Sequence, residues 1–225
     1  MTQIRLADGV YSGIVAMIGD RNLEVGDRLP AEAQLSDMLG VSRTVVREAL
    51  TRLASDGVTE SRRGAGSFVT RLPSRLLHEH MPASEISTTL GSYEVRFALE
   101  AEAARLAALR RSTKDMVAIE QRLDSLVQAL RAKGAGHAED MELHRAIMQA
   151  TGNQSFLKTF DALSDDIGRV MRAGIHISRS RSDAAVETMV VEHATIVEAI
   201  RQRDPERAAL SMRWHLSQGR MRLMP

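Results

Sequence analysis

The chain has 225 residues, a net charge of +1 and 44% apolar residues, enough for one large domain or two small ones with their own cores. Its aromatic content of 3% is low, and Ala, Leu, Val and Met carry the apolar share, which favours helices over sheets. There is no cysteine, which excludes disulfides and thiolate metal sites and leaves histidines and carboxylates as metal ligands.

Bulk charge names no partner. Residues 1–72 hold nine Arg against nine Asp or Glu, so any nucleic-acid reading rests on where the charges sit. The apolar run Gly9–Gly19 lies between Asp8 and Asp20 and lacks the small-residue cleavage site of a signal peptide. Leu6, Val10, Ile14, Met17 and Ile18 repeat at helical spacing and predict a first helix over Asp8–Ile18. No apolar run approaches membrane-spanning length, so a soluble, cytoplasmic protein with no membrane partner is expected.

Next comes a turn-rich loop, Asn22–Pro30. A second helix starts after Pro30, with Ala31 and Glu32 in its first turn, and runs to Met38; Gly40 ends it. Ser42 caps a third helix that continues to Ser55 and stops at Asp56-Gly57. Val58–Glu60 and Ser67–Thr70 predict a hairpin with Arg62-Arg63-Gly64-Ala65-Gly66 at its tip. Arg71–Gly91 holds two prolines and no sustained period and reads as a linker, with a short helix over Ser74–His80 as an option. Six helices follow, near Ser92–Leu109, Thr113–Ala132, Glu139–Thr151, Asn153–His176, Asp183–Arg203 and Pro205–Leu223. The expected fold is mainly α. Residues 1–71 form a winged helix-turn-helix with a small β-hairpin wing, 72–91 a linker, and 92–225 an all-helical bundle.

A helix fits the major groove of DNA, where arginine reaches the acceptor pair of guanine. Arg43 and Arg47 stand at i, i+4 near the start of the third helix, where a recognition helix meets base edges. Ser42 and Thr44 can bond phosphates, while Val46, Ala49, Leu50 and Leu53 face inward. Arg62, Arg63 and the hairpin glycines can approach a phosphate or the minor groove. The plainer reading is solvated surface charge, since 27 Arg against three Lys is a compositional bias. The ordered combination of turn, helix and basic hairpin favours DNA.

Gly26-Asp27-Arg28-Leu29-Pro30, Glu32, Leu35, Gly40-Val41-Ser42-Arg43-Thr44, Val46-Arg47-Glu48-Ala49-Leu50, Leu53, Gly57, Gly64 and Gly66-Ser67-Phe68-Val69 resemble the GntR family of bacterial transcriptional regulators. The resemblance covers about residues 4–70. It implies DNA contacts from Arg28, Ser42, Arg43, Thr44, Arg47 and the wing around Arg63–Gly64, on a palindromic operator read by a homodimer. Ala33 departs from the family's frequent Arg or Lys at that place, so the operator sequence is expected to differ.

The remaining helices hold a second candidate site. Asp140 and His144 share a helix face at i, i+4. His193 lies 11 residues before Asp204 and His215 lies 11 after it, so in an antiparallel hairpin both sit about 16 Å from the turn. Three imidazoles and a carboxylate suit a divalent metal ion, zinc first, with nickel, manganese or iron as alternatives. The plainer reading is a set of half-buried, hydrogen-bonded histidines; His78, His80, His137 and His176 are left under it.

Tyr93-Glu94-Val95-Arg96, Leu99-Glu100, Asp140-x3-His144, Gly152-Asn153, His193 and His215 resemble the FCD ligand-binding domain of FadR-like regulators, over about residues 92–220. The resemblance implies a cation held by Asp140, His144, His193 and His215 beneath an effector pocket, with Arg96 pairing an effector carboxylate. The alternative for Arg96 is a salt bridge to Glu94 or Glu100. Leu143 stands where many relatives have an aromatic residue, and a six-helix bundle would suit the shorter VanR-like form.

The function expected is a metabolite-responsive, DNA-binding repressor controlled by a sugar acid or other organic acid. Two rivals are a metal-dependent enzyme and a purely structural metal. Against the enzyme, no extra general base or nucleophile motif is evident; Glu139, Glu142 and Glu192 read as surface helix charges.

Overall fold

The computed structural model describes residues 2–72 and 83–223. The optional helix Ser74–His80, and His78 and His80 with it, lie outside the described residues. The chain divides between Thr88 and Thr89 into two compact units.

In the first unit, α1 (Thr2–Asp20) begins earlier than its apolar period required, because nothing in the preceding residues breaks a helix. Its Val10, Tyr11, Ile14, Val15 and Ile18 are buried, and the helix packs on α3 (Arg43–Ser55). α3 returns Val45, Val46, Ala49, Leu50 and Leu53 to the same core. The Tyr11 hydroxyl donates to Asp56 Oδ2 at 2.8 Å, tying α1 to the end of α3. Between them, α2 (Glu32–Leu39) ends at Gly40, whose φ of 66° only glycine adopts freely. Ser42 then caps α3, its Oγ accepting from the Val45 N–H at 3.4 Å.

The wing is a two-stranded antiparallel sheet, β1 (Thr59–Arg62) and β2 (Gly66–Val69), in register from Thr59 opposite Val69 to Arg62 opposite Gly66. Its tip is tighter than the five residues the sequence suggested. Gly64 and Gly66, at φ 75° and 103°, let the chain reverse within Arg63–Ala65. The loop before α2 also joins this sheet: Gly26 N–H donates to Val69 O, Val69 N–H to Asp27 O and Leu29 N–H to Ser67 O, at 2.8 to 2.9 Å. Turn residues in Asn22–Pro30 hid this short extended edge.

Seven helices follow among the described residues, α4 (Ala83–Arg110), α5 (Thr113–Arg131), α6 (His137–Ala150), α7 (Gln154–Ala162), α8 (Ser164–Arg181), α9 (Asp183–Arg201) and α10 (Pro205–Leu223), and the second unit takes them from Thr89 to Arg222. Two expectations change. The last part of the expected linker, from Ala83, is already helical. The single helix expected over Asn153–His176 is broken at Leu163, where ψ rises to 4°. Ser164, Asp165 and Asp166 favour a fresh helix start there, their acidic side chains answering the dipole of α8. The break lets Phe160 and Ile167 enter one core with Ala103, Met148 and Met171. Each such large buried side chain contributes about 1.5–3 kcal/mol. Ser112 and Asp115 cap α5 reciprocally, at 2.9 and 3.1 Å between side chain and backbone N–H. No helix among the described residues is long and apolar enough to cross a membrane.

Candidate functional site

The start of α3 presents Ser42, Arg43, Thr44 and Arg47 to solvent, as does the wing tip Arg63–Gly64. The Ser42 oxygen is occupied as the helix cap, but its hydroxyl proton remains able to bond a phosphate. Arg28 lies along the wing: a Cβ at Gly66 would come within 3.0 Å of its Nε. Arg62 is engaged with Glu60 at 3.2 Å and stacks over the Phe68 ring at 4.4 Å, which stiffens the wing. One partner was not foreseen: Glu32, at the start of α2, takes a two-pronged hold on Arg47. Its proximity to α3 is a product of the turn and has no trace in local spacing.

In the second unit Asp140 and His144 on α6 meet His193 on α9 and His215 on α10, all four buried. The ring centres of His193 and His215 are 4.2 Å apart, as their equal distance from the Asp204-Pro205 turn requires. The His144 ring lies 5.7 and 5.3 Å from those two. One nitrogen from each ring falls within 4.8 Å of the others.

Hydrogen bonding orients each ring. The Nδ1 nitrogens are turned outward: His144 to Glu100 Oε2, His193 to the Met189 carbonyl at 2.8 Å, His215 to Glu192 Oε2 at 3.0 Å. All three partners are acceptors, so each Nδ1 donates and each neutral ring keeps a lone pair on Nε2. The Nε2 atoms of His193 and His144 lie 2.9 and 3.4 Å from one oxygen of Asp140, and that of His144 forms no hydrogen bond. A cluster of inward-facing acceptors is unfavourable unless a cation joins it. The donor set therefore fits a divalent metal ion: three imidazole nitrogens and one carboxylate oxygen, each supported from behind.

With only side chains to balance the charge, protons do this work. Burial opposes a charge on His144, but Glu100 and Asp140 outweigh it and raise its pKa to about 9. Glu100, although buried, is lowered to about 2 by Arg96 and His144, and Asp140 lies well below the usual carboxylate range beside His193 and His144. His215 is pushed well below an ordinary histidine by burial and by the neighbouring histidines.

Arg96 is buried and pairs with Glu100 through Nε, so the ion-pair alternative is realised. It also lines a cavity of about 30 Å³ with Tyr93, Asp140, His215, Gly219 and Arg222. Burial raises the Tyr93 hydroxyl to about 12, keeping it a neutral donor. Two residues at this site, Arg222 in the cavity wall and Glu192 behind it, were not predicted from the sequence. Glu192, read there as a surface charge, is buried and accepts from both His215 and Arg222. Its place three residues after Met189 and four before Ile196, in the apolar stripe of α9, was the signal. Arg222 stands seven residues past His215, two helical turns along the same face, and its sequence neighbourhood gave no hint.

Two family models match the chain. Residues 6–69 match the model of bacterial regulatory proteins of the gntR family, and residues 92–218 match the FCD domain. A protein of Escherichia coli (strain K12) named for regulation of the L-lactate dehydrogenase operon is 32% identical, over 95% of this chain and 84% of that one. The Uxu operon transcriptional regulator of the same strain is 32% identical over 95% of this chain and 86% of its own length. Its Glc operon transcriptional activator is 31% identical over 94% and 86%. Among solved structures, Streptococcus agalactiae GntR shares the fold, with a TM-score of 0.51 at 22% identity over 96% of this chain and 99% of that one. These relatives are transcriptional regulators rather than enzymes. The chain belongs to the GntR family of DNA-binding transcriptional regulators and carries an FCD domain in its helical half.

Proposed function

We propose that this protein is a homodimeric, cytoplasmic repressor that releases its operator when a small carboxylate binds beside a divalent cation in the helical unit. Arg43 and Arg47 read bases, Ser42 and Thr44 hold phosphates, and Arg28 with the Arg63–Gly64 wing reaches the adjoining backbone. The observation that carries the effector reading is a cluster of three inward-facing histidines and Asp140, of which Asp140 and His215 also line a cavity walled by Arg96 and Arg222.

Charge counting supports it. Glu100, Asp140 and Glu192 stand against Arg96 and Arg222, which leaves one negative charge among these described groups with the histidines neutral. A divalent cation reverses that to one positive charge, which a single carboxylate neutralises. The cation supplies electrostatic attraction for an acid's oxygens, and Arg96 offers a planar fork for the carboxylate. Glu100 holds both Arg96 and the His144 ring, so the carboxylate-binding and metal-binding residues are positioned together.

A cavity of about 30 Å³ has room for a water but not for a hydroxy acid. An acid then enters as wall side chains shift, and it controls DNA binding to the extent that it binds one arrangement of the protein better than another. The relative named for the L-lactate dehydrogenase operon makes L-lactate the first acid to test.

The test is a thermal-shift series on zinc-loaded protein with L-lactate and a panel of sugar acids, repeated on Arg96→Lys. A bound acid raises the melting temperature, and the variant, which keeps the charge but loses the fork, forfeits most of the gain. A purely structural cation predicts otherwise: chelation lowers the melting temperature while the still-folded protein binds the acid as before.

A further inference from the structure

We infer that Glu32 is a specificity-determining residue that clamps Arg47 for base reading and keeps it off the phosphate backbone. The inference rests on Arg47 being a base-reading residue. Arg47 donates from Nε to Glu32 Oε1 at 3.2 Å and from Nη2 to Oε2 at 2.7 Å. This parallel pair uses the side edge of the guanidinium and fixes its plane. Of five N–H groups, the two on Nη1 and one on Nη2 remain, and one from each nitrogen forms the end-on edge that matches guanine O6 and N7.

The pair stands in the open. Arg47 is 68% exposed and Glu32 38% exposed, so the contact adds little to folding in water. A carboxylate on a DNA-facing surface also weakens attraction to phosphates. Both facts suit recognition rather than stability. Glu32 restrains a flexible side chain before DNA arrives, which lowers the ordering cost of the correct contact. It also sets a cost on phosphate contacts that need the side edge, because Arg47 must leave Glu32 before that edge is free. Arg43 acts on Glu32 only through space, so the restraint falls on Arg47 alone. Ala33, the next residue on α2, adds no competing cation.

The test is selection from a randomised duplex library with the full-length wild type, Glu32→Ala, Glu32→Asp and Arg47→Ala, followed by affinity measurement on the selected and a scrambled duplex. Arg47→Ala should blur one base pair of the wild-type motif. Glu32→Ala should blur the same pair, cutting discrimination there about 5- to 100-fold, while binding the scrambled duplex more tightly. Glu32→Asp keeps the charge but shortens the reach, so it should blur that pair without tightening scrambled binding. A Glu32→Ala motif as sharp as the wild type overturns the clamp. So does blurring at a different pair, which would make Glu32 a base reader in its own right. Equal loss on both duplexes with a lowered melting temperature assigns Glu32 a structural role and also overturns it. A wild type that yields no motif defeats the recognition reading itself, and the clamp with it.

Discussion

Both units of this protein contain an arginine fork on a glutamate, in opposite surroundings. Arg47–Glu32 stands in water at the start of α2 and α3, the candidate DNA-reading surface, while Arg96–Glu100 is buried in the helical core with His144 on the far side of the carboxylate. Water screens the first pair and leaves it free to exchange partners. The second pair cannot lose a member without stranding a buried charge. The exposed pair suits the proposed selection among DNA sequences, and the buried one fixes the geometry around the candidate ligand site.

The largest effect follows from breaking the buried pair. Glu100→Ala leaves Arg96 and His144 without their shared acceptor and should cost about 3–5 kcal/mol in urea unfolding. Glu32→Ala, the matching change at the surface, should leave the urea midpoint where it is. Equal effects from the two would erase the distinction. Next, Glu192→Gln removes the negative charge behind His215 and one of the two oxygens shared by His215 and Arg222, while leaving the inward nitrogens in place. Zinc affinity in a competitive chelator titration should fall about 10- to 100-fold, with a smaller effect on DNA binding by the metal-loaded protein. Ser42→Ala, which removes the cap of α3, should cost about 1 kcal/mol, with affinity for a scrambled duplex lowered as well.

The smallest effect is one of pH. The raised pKa of His144 means that the chelated protein gains stability from its proton below about pH 6.5 and loses it as pH rises through about 9. Zinc needs that nitrogen unprotonated, so metal binding near pH 7 should release about one proton. Calorimetry in two buffers of different ionisation enthalpy measures that release. A value of zero would mean His144 is already neutral.

How far the sequence revealed these sites differs in the same way. The helix-turn-helix lies within a short stretch, so Gly40, Ser42, Arg43, Arg47 and the wing glycines could be read from local turn and capping chemistry. The histidines were legible for a different reason: equal spacing about the Asp204-Pro205 turn carries His193 and His215 to the same height. The rest depends on contacts between distant helices. Glu100 was legible as a partner of Arg96, but its hold on His144 appears only once α4 and α6 are packed; Glu192 looks like an ordinary helix carboxylate until α9 is packed, and Arg222 has no local signature. The break at Leu163 was missed because an apolar period runs through it, and only the Ser-Asp-Asp start of α8 marks it.

Regulation by an acid requires that acid bound in the helical unit alter DNA affinity. The direct measurement is the Kd of zinc-loaded protein for its library-selected duplex, with and without an acid that raises its melting temperature. The account predicts affinity about tenfold weaker or more with the acid present, and no such change in Arg96→Lys. An unchanged Kd, with the acid demonstrably bound, would contradict it.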